Sequence, residues 1–193
     1  MNTLFNSIGI SSDSNPGGAN FDNSSDSYSE EGLTAAGAAP GATVTVAGIQ
    51  YAMPSVAVGS ADNLRVAPNI TITDAIPAGA TQLSFLGAAS GSDGSVPLAI
   101  TYADGSTQTA TLGFSDWTLA AGKESPRFGN VIAVTTPYRN TPGGPQTVKT
   151  FLFATEPIQL SPGKAITSVN FPGPVSGGQV HVFAIGTDLG PAS

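Results

Sequence analysis

The chain of 193 residues has no cysteine, which excludes a disulfide framework, a thiolate zinc site and a cysteine nucleophile. Histidine occurs once, as His181, and only 10% of positions are charged. Six basic residues against 13 acidic ones leave a formal charge of -7, and the cations are scattered. Such a chain offers no phosphate-binding stripe, so nucleic acid is not an expected partner. No apolar run approaches the ~18 residues that span a bilayer, so no membrane association is expected either. The opening Met1-Asn2-Thr3-Leu4-Phe5-Asn6 shows neither the basic nor the apolar region of a signal peptide. Glycine and proline, by contrast, are plentiful, with 24 and 15 copies. Both are costly inside helices, which argues against a helical bundle or coiled coil. A 40% hydrophobic content at low charge argues against disorder. The length and composition predict one domain over residues 1–193, built from β-structure and turns. Abundant Ser and Thr with few Lys and Glu fit an exported bacterial protein. The expected setting is therefore extracellular, the chain being read as a domain cut from a larger secreted protein.

Short runs of apolar/polar alternation separated by Gly, Pro, Asn or Asp dominate the sequence. Thr43 to Val46 leads through Ala47-Gly48 into Ile49 to Met53, which predicts a hairpin. Asn69 to Thr73 alternates strictly, and Thr81 to Gly87 reads as a further strand. Pro97 to Tyr102 and Thr107 to Leu112 flank Ala103-Asp104-Gly105-Ser106, where Asp-Gly suits a type I′ turn with two positive φ values. Val131 to Thr135, Val148 to Ala154, Ala165 to Phe171 and Val180 to Ile185 bring the expectation to about ten strands. Gly91-Ser92-Asp93-Gly94-Ser95 reads as a turn, and Glu30 to Ala38 as the one short helix. Ser11 to Asp26, Ser115 to Asn130 and Tyr138 to Pro145 read as the long loops. Regularly spaced short strands with Gly/Pro punctuation predict an all-β antiparallel sandwich or barrel.

Few residues point to chemistry. His181 lies in Gln179-Val180-His181-Val182-Phe183-Ala184-Ile185, apolar on both faces, as expected of a packed structural histidine. No Gly-x-Ser-x-Gly elbow accompanies it, so no catalytic residue is assigned and the chain is not expected to be an enzyme. Asp22, Asn23 and Asp26 supply side-chain oxygens at short spacing and are candidate calcium ligands. The bland alternative is an Asx-rich loop that satisfies its own backbone. Sugar binding needs an aromatic face and a few fixed polar groups. Tyr28, Trp117, Tyr138, Arg139, Asn140 and Asp116 are the candidates, with Tyr138-Arg139-Asn140 in one loop. Each has a structural alternative: Trp117 as a core plug, Asp116 as a turn former, Arg139 paired with a carboxylate.

Several segments resemble the galactose-binding-like domains appended to secreted bacterial glycoside hydrolases and related exoenzymes. They are Phe5 to Ser11, Ala19-Asn20-Phe21-Asp22, Asp26-Ser27-Tyr28-Ser29, Pro40 to Val44, Gly59 to Asn63, Leu112 to Trp117, Thr136 to Asn140 and His181 to Gly186. The resemblance implies a jelly-roll of two antiparallel sheets. It also implies a non-catalytic carbohydrate-binding module, with a structural calcium in many members and a linked glycoside hydrolase as partner. A single shallow site for a glycan or polysaccharide would give a Kd of roughly 0.1–1 mM. The alternative is a structural, docking or self-assembling domain without a glycan ligand. Exposed aromatics grouped at one end would favour the first reading, and an apolar patch on a sheet the second.

Overall fold

The computed structural model describes residues 2–74 and 76–192. Its first half carries β1 (Ile10–Ser11), β2 (Tyr28–Ser29), the helix α1 (Glu30–Ala35), β3 (Thr43–Val46), β4 (Ile49–Ala52), β5 (Leu64–Arg65) and β6 (Thr71–Ile72). Next come β7 (Gln82–Tyr102), β8 (Thr107–Phe114), β9 (Val131–Thr136), β10 (Arg139–Thr141), β11 (Gly144–Gln146) and β12 (Thr150–Ala154). The chain closes with β13 (Ile158–Gln159), β14 (Ile166–Asn170), β15 (Ser176–Thr187) and β16 (Gly190–Pro191). The all-β antiparallel sandwich expected from the strand pattern is present. Its strands outnumber the ten expected, because several are two-residue pieces too short to show a period.

Local chemistry sets the elements. Ser29 caps α1, its Oγ accepting the Gly32 N–H at 2.9 Å, and Glu30 and Glu31 lie in the positive first turn. The helix stops where Gly37 takes φ 81° and the Ala38 N–H returns to the Leu33 carbonyl. The β3–β4 hairpin expected is present, and Ala47 (φ 50°) and Gly48 (φ 85°) give it the twist-matched turn that two-residue hairpins favour. The β7–β8 turn differs from expectation. Only Gly105 there has a positive φ (81°), and its N–H bonds the Tyr102 carbonyl at 2.9 Å. This is a type I turn followed by a left-handed glycine, with Asp104 Oδ1 accepting the Ser106 N–H.

The spine of the molecule is β7. The order β3-β4-β15-β7-β12-β9 passes through it, and β8, β13 and β14 also pair with it. The segment Gly91 to Ser95, expected to be a turn, runs on as strand. Gly91 (φ 82°) absorbs the irregularity, and Gly94 and Ser95 pair with both β15 and β8. Leu83 to Ser90 are buried whichever face they point to, whereas Val96 to Tyr102 bury alternate residues. The first half of β7 is thus covered on both faces and the second on one. Glycine allows the close approach of β15, since a Cβ at Gly178 would stand 1.9 Å from the Ser92 carbonyl oxygen.

Candidate functional site

The Ser11–Asp26 and Tyr138–Pro145 segments expected to carry ligand residues lie together, held by buried hydrogen bonds rather than by exposed side chains. Ser27 and Asn140 exchange N–H···O bonds of 2.9 Å in both directions. The segment read as a loop over Tyr138 to Pro145 is instead the β10–β11 hairpin. Tyr28 and Trp117, candidate ligand platforms, are 0% and 2% exposed, Trp117 taking its core-plug alternative. They pack edge-to-face at 5.1 Å, Phe21 lies 5.0 and 5.1 Å from them, and the Tyr28 hydroxyl donates to the Phe151 carbonyl at 2.7 Å. Both are core residues, because two-residue periodicity reports which face a ring occupies but not what later covers it. Asn140 is also fully buried, its Nδ2 donating to Ser11 Oγ at 3.0 Å.

Arg139 covers this aromatic cluster. Its guanidinium carbon lies 5.8 Å from the centre of the Trp117 ring, Nε donates to Gln146 Oε1 at 2.7 Å, and Nη1 meets Asp26 Oδ2 at 2.8 Å and Asp22 Oδ2 at 3.8 Å. Burial raises the Asp26 pKa; the Arg139 charge opposes that shift and Asp22 adds to it. Of the three expected metal ligands, then, Asp22 and Asp26 face a guanidinium, and Asn23 Oδ1 accepts from Arg65 at 3.4 Å. Asp22 Oδ1 accepts the Ser24 and Asp26 N–H groups, the turn-forming role open to such a loop. Among the described residues no group of three or more His, Asp and Glu side chains converges for a metal ion. Tyr138 is half-buried, its hydroxyl donating to Asp13 Oδ2 at 2.6 Å.

Asp116 alone of the expected ligand residues lines an open polar groove, of about 660 Å³, with Asp93, Thr118, Glu124 and Arg127. Asp93 accepts the Asp116 N–H at 2.9 Å and pairs with Arg127 Nε at 3.1 Å. Asp116 Oδ1 accepts from the backbone and hydroxyl of Thr118. One wall is a left-handed turn. Leu119 to Gly122 have φ of 47°, 49°, 60° and 80°, with i→i−4 bonds Gly122 N–H to Thr118 O and Lys123 N–H to Leu119 O. The left-handed conformation costs roughly 1–2 kcal/mol for each L-residue. Gly122 escapes that cost, and burial of Leu119 helps hold the turn.

A second polar assembly lies inside the core. Asn63 Nδ2 donates to Asp62 Oδ1 at 2.7 Å, and Asn63 Oδ1 accepts from His181 Nδ1 at 2.7 Å. His181 Nε2 is then free to face Ser90 Oγ at 3.4 Å. Asp62 also accepts the Gly9 and Ile10 N–H groups at 2.9 Å, anchoring the N-terminal segment. All four side chains are at most 3% exposed, and the Phe21 ring covers the imidazole at 4.2 Å. His181 is therefore the packed histidine expected from its flanks. Burial, with the Arg65 charge second, pushes its pKa from 6.5 down to about 3. Its contribution to stability is complete above the unfolded value and is lost as pH falls from about 6.5 towards 3. Burial moves Asp62 the other way, up to about 6, so its contribution grows as pH falls from about 6 to 3.8. The stability advantage of wild type over His181→Gln should accordingly be constant above pH ~6.5 and shrink steadily below it. Thermal melts of both proteins across that range check this, and a gap that stays constant on acidification would contradict a neutral buried imidazole.

Among the described residues, the large apolar side chains left in solvent are few. Phe128 (47% exposed), Val131 (50%) and Ile132 (42%) are close in sequence, and Leu189 is the fourth. Among the described residues β9 pairs only with β12, so it is an edge, and both of its first two side chains face water. Phe128 is held in a left-handed conformation (φ 55°) against Gly113, whose missing Cβ leaves room for the ring.

The model of the AziU2-like beta-sandwich domain matches residues 1–154. The chain belongs to that family. The match takes in the aromatic cluster, the Arg139 cap, the β10–β11 hairpin and the β9 edge, and ends at the last residue of β12. It supports the β-sandwich expected from the sequence without singling out the galactose-binding-like accessory type. No curated protein matches the chain.

Proposed function

We propose that this AziU2-like domain is a non-catalytic interaction module that docks a protein partner along the β9 edge. The observation that carries this reading is the exposure of Val131 and Ile132 on an edge strand paired on one side, with Phe128 exposed just before it in the chain. An edge offers free main-chain donors and acceptors, and side chains exposed on both faces add apolar area. The partner fitted to it is an extended apolar segment or the sheet edge of another protein. The burial of Tyr28 and Trp117 supports the same reading, because it withdraws the aromatic platform that a sugar would stack on. A non-catalytic role is supported by the one imidazole, enclosed in the core with a pKa far below the range useful to a general base.

The test is a photo-crosslinking amino acid placed at Ile132, with the same group at Thr109 on β8 as control, in cells that make the protein. One discrete protein adduct from position 132, lost when Val131→Lys is added, is the expected result. Equal adducts from both positions, or none from either, would overturn the reading. A second reading rests on the groove of Asp93, Asp116 and Arg127, whose acceptors and donor suit sugar hydroxyls. In that case the domain serves as a carbohydrate-binding accessory of an exported protein such as a glycoside hydrolase, as the galactose-binding-like resemblance implies. Calorimetry against a glycan panel, with Asp116→Ala as control, separates the two.

A further inference from the structure

An open polar pocket of about 410 Å³ lies where β5 meets the N-terminal segment and the Ser11–Asp26 loop. It shares no lining residue with the Asp116 groove. Among its described lining residues Arg65 is the one cation and there is no carboxylate, in a chain whose acids outnumber its bases 13 to 6. Asn6 holds Arg65 in place by its backbone, Oδ1 accepting the Arg65 N–H at 2.8 Å and Nδ2 donating to the Arg65 carbonyl at 3.2 Å. The guanidinium reaches the loop, where Nη1 donates to Asn23 Oδ1 at 3.4 Å. Among the described residues it forms no ion pair, unlike Arg127, Arg139 and Lys164. Asp22, next to Asn23 in the chain, gives its oxygens to Ser24, Asp26 and Arg139 instead. The charge of Arg65 is thus uncompensated, and it is felt by His181, its partner across the β5–β15 pair. The amides nearby present donors. Asn20 Oδ1 accepts the Ser25 N–H at 2.8 Å and Asn23 Oδ1 accepts from Arg65, so both carbonyls are engaged and the NH2 groups are left to donate. Ser7 and Ser25 line the same pocket.

We propose that this pocket binds a small hydroxylated carboxylic acid, its carboxylate on Arg65 and its hydroxyls on Asn20, Asn23, Ser7 and Ser25. A guanidinium presents its N–H donors as a planar fork that a carboxylate meets side by side, and only Nη1 is engaged within the protein. One guanidinium balances one negative charge. A phosphate, which carries nearly two, would leave the excess unbalanced in a chain of net charge -7. Amide and serine groups serve ligand hydroxyls with donors and acceptors alike, whereas an apolar acid would leave them without partners. The volume is that of a pocket for a small ligand. Because the field of the whole chain repels anions, binding here draws on the donors of the pocket and not on general attraction.

The test is calorimetric titration of the full chain with sodium gluconate. Sorbitol, which has the same hydroxylated carbon chain without the carboxylate, sodium acetate and sodium phosphate are titrated in parallel at matched ionic strength. The lone histidine supplies a second readout, since its imidazole proton signal reports on the strand pair that carries Arg65. Saturable binding of one gluconate in the millimolar range is expected, with a shift of that signal, and each of the other three compounds should bind about tenfold or more weakly. Arg65→Gln should weaken gluconate by about tenfold or more with a native far-ultraviolet spectrum, and Asn23→Ala should weaken it severalfold. Arg127→Gln, which removes a cation outside the pocket, should leave it unchanged. Absence of gluconate binding at tens of millimolar would overturn the proposal, as would equal binding of sorbitol or phosphate. So would full affinity in folded Arg65→Gln or in Asn23→Ala.

Discussion

Trp117→Ala should lower the unfolding free energy by about 3–5 kcal/mol, the range for deleting a large buried aromatic. The ring is 2% exposed and touches Phe21, Tyr28 and the guanidinium of Arg139, so its removal leaves a cavity with three partners on its walls. Arg139 would also lose the face it lies on, loosening its hold on Asp22 and Asp26. Urea unfolding followed by circular dichroism should show a lower midpoint with an unchanged slope. A loss below ~1 kcal/mol would instead indicate a ring that solvent reaches, as a ligand platform would be.

Asn63→Ala should be comparably damaging, at roughly 3–5 kcal/mol, for an electrostatic reason. Asn63 serves Asp62 with its Nδ2 and His181 with its Oδ1, so truncation strips a buried carboxylate of one donor and leaves the imidazole N–H without an acceptor. Replacing His181 as well, by leucine, removes the orphaned N–H. The double variant should therefore be more stable than the sum of the single losses predicts, by a coupling of about 0.5–3 kcal/mol. Strict additivity in chemical denaturation would show that the two contacts are independent.

The fold was legible where the chain controls it locally. Thr43 to Met53, Glu30 to Ala38 and Pro97 to Leu112 carry their own caps, turns and alternation, and each formed the expected element, the helix ending three residues early at Ala35. The Asp104-Gly105 turn took a different type because one glycine was enough to reverse the chain. Gly91 to Ser95 looked like a turn because Gly, Ser and Asp favour turns. Pairing on both sides outweighed that preference. The site was legible in one respect: two of the loops named for ligands do meet. What the sequence could not show was how they meet. Arg139 finds its carboxylates more than a hundred positions earlier in the chain, and the Ser27–Asn140 bridge draws the candidate ligand Asn140 inward with the loops. Tyr28 and Trp117 looked like loop aromatics because nothing near them in sequence reveals the Arg139 lid. The β9 edge went unnoticed as a surface because Val131 and Ile132 read as ordinary core strand.

The length of β7 has a bearing on how the molecule comes apart. A strand that supplies hydrogen bonds to the β12 and β15 side with one half, and to the β8 and β14 side with the other, leaves neither assembly a complete set of neighbours once it is withdrawn. No half-molecule is left to linger: the sandwich should melt as one cooperative unit, and a partner bound at β9 would be tethered to a scaffold that is either wholly intact or gone.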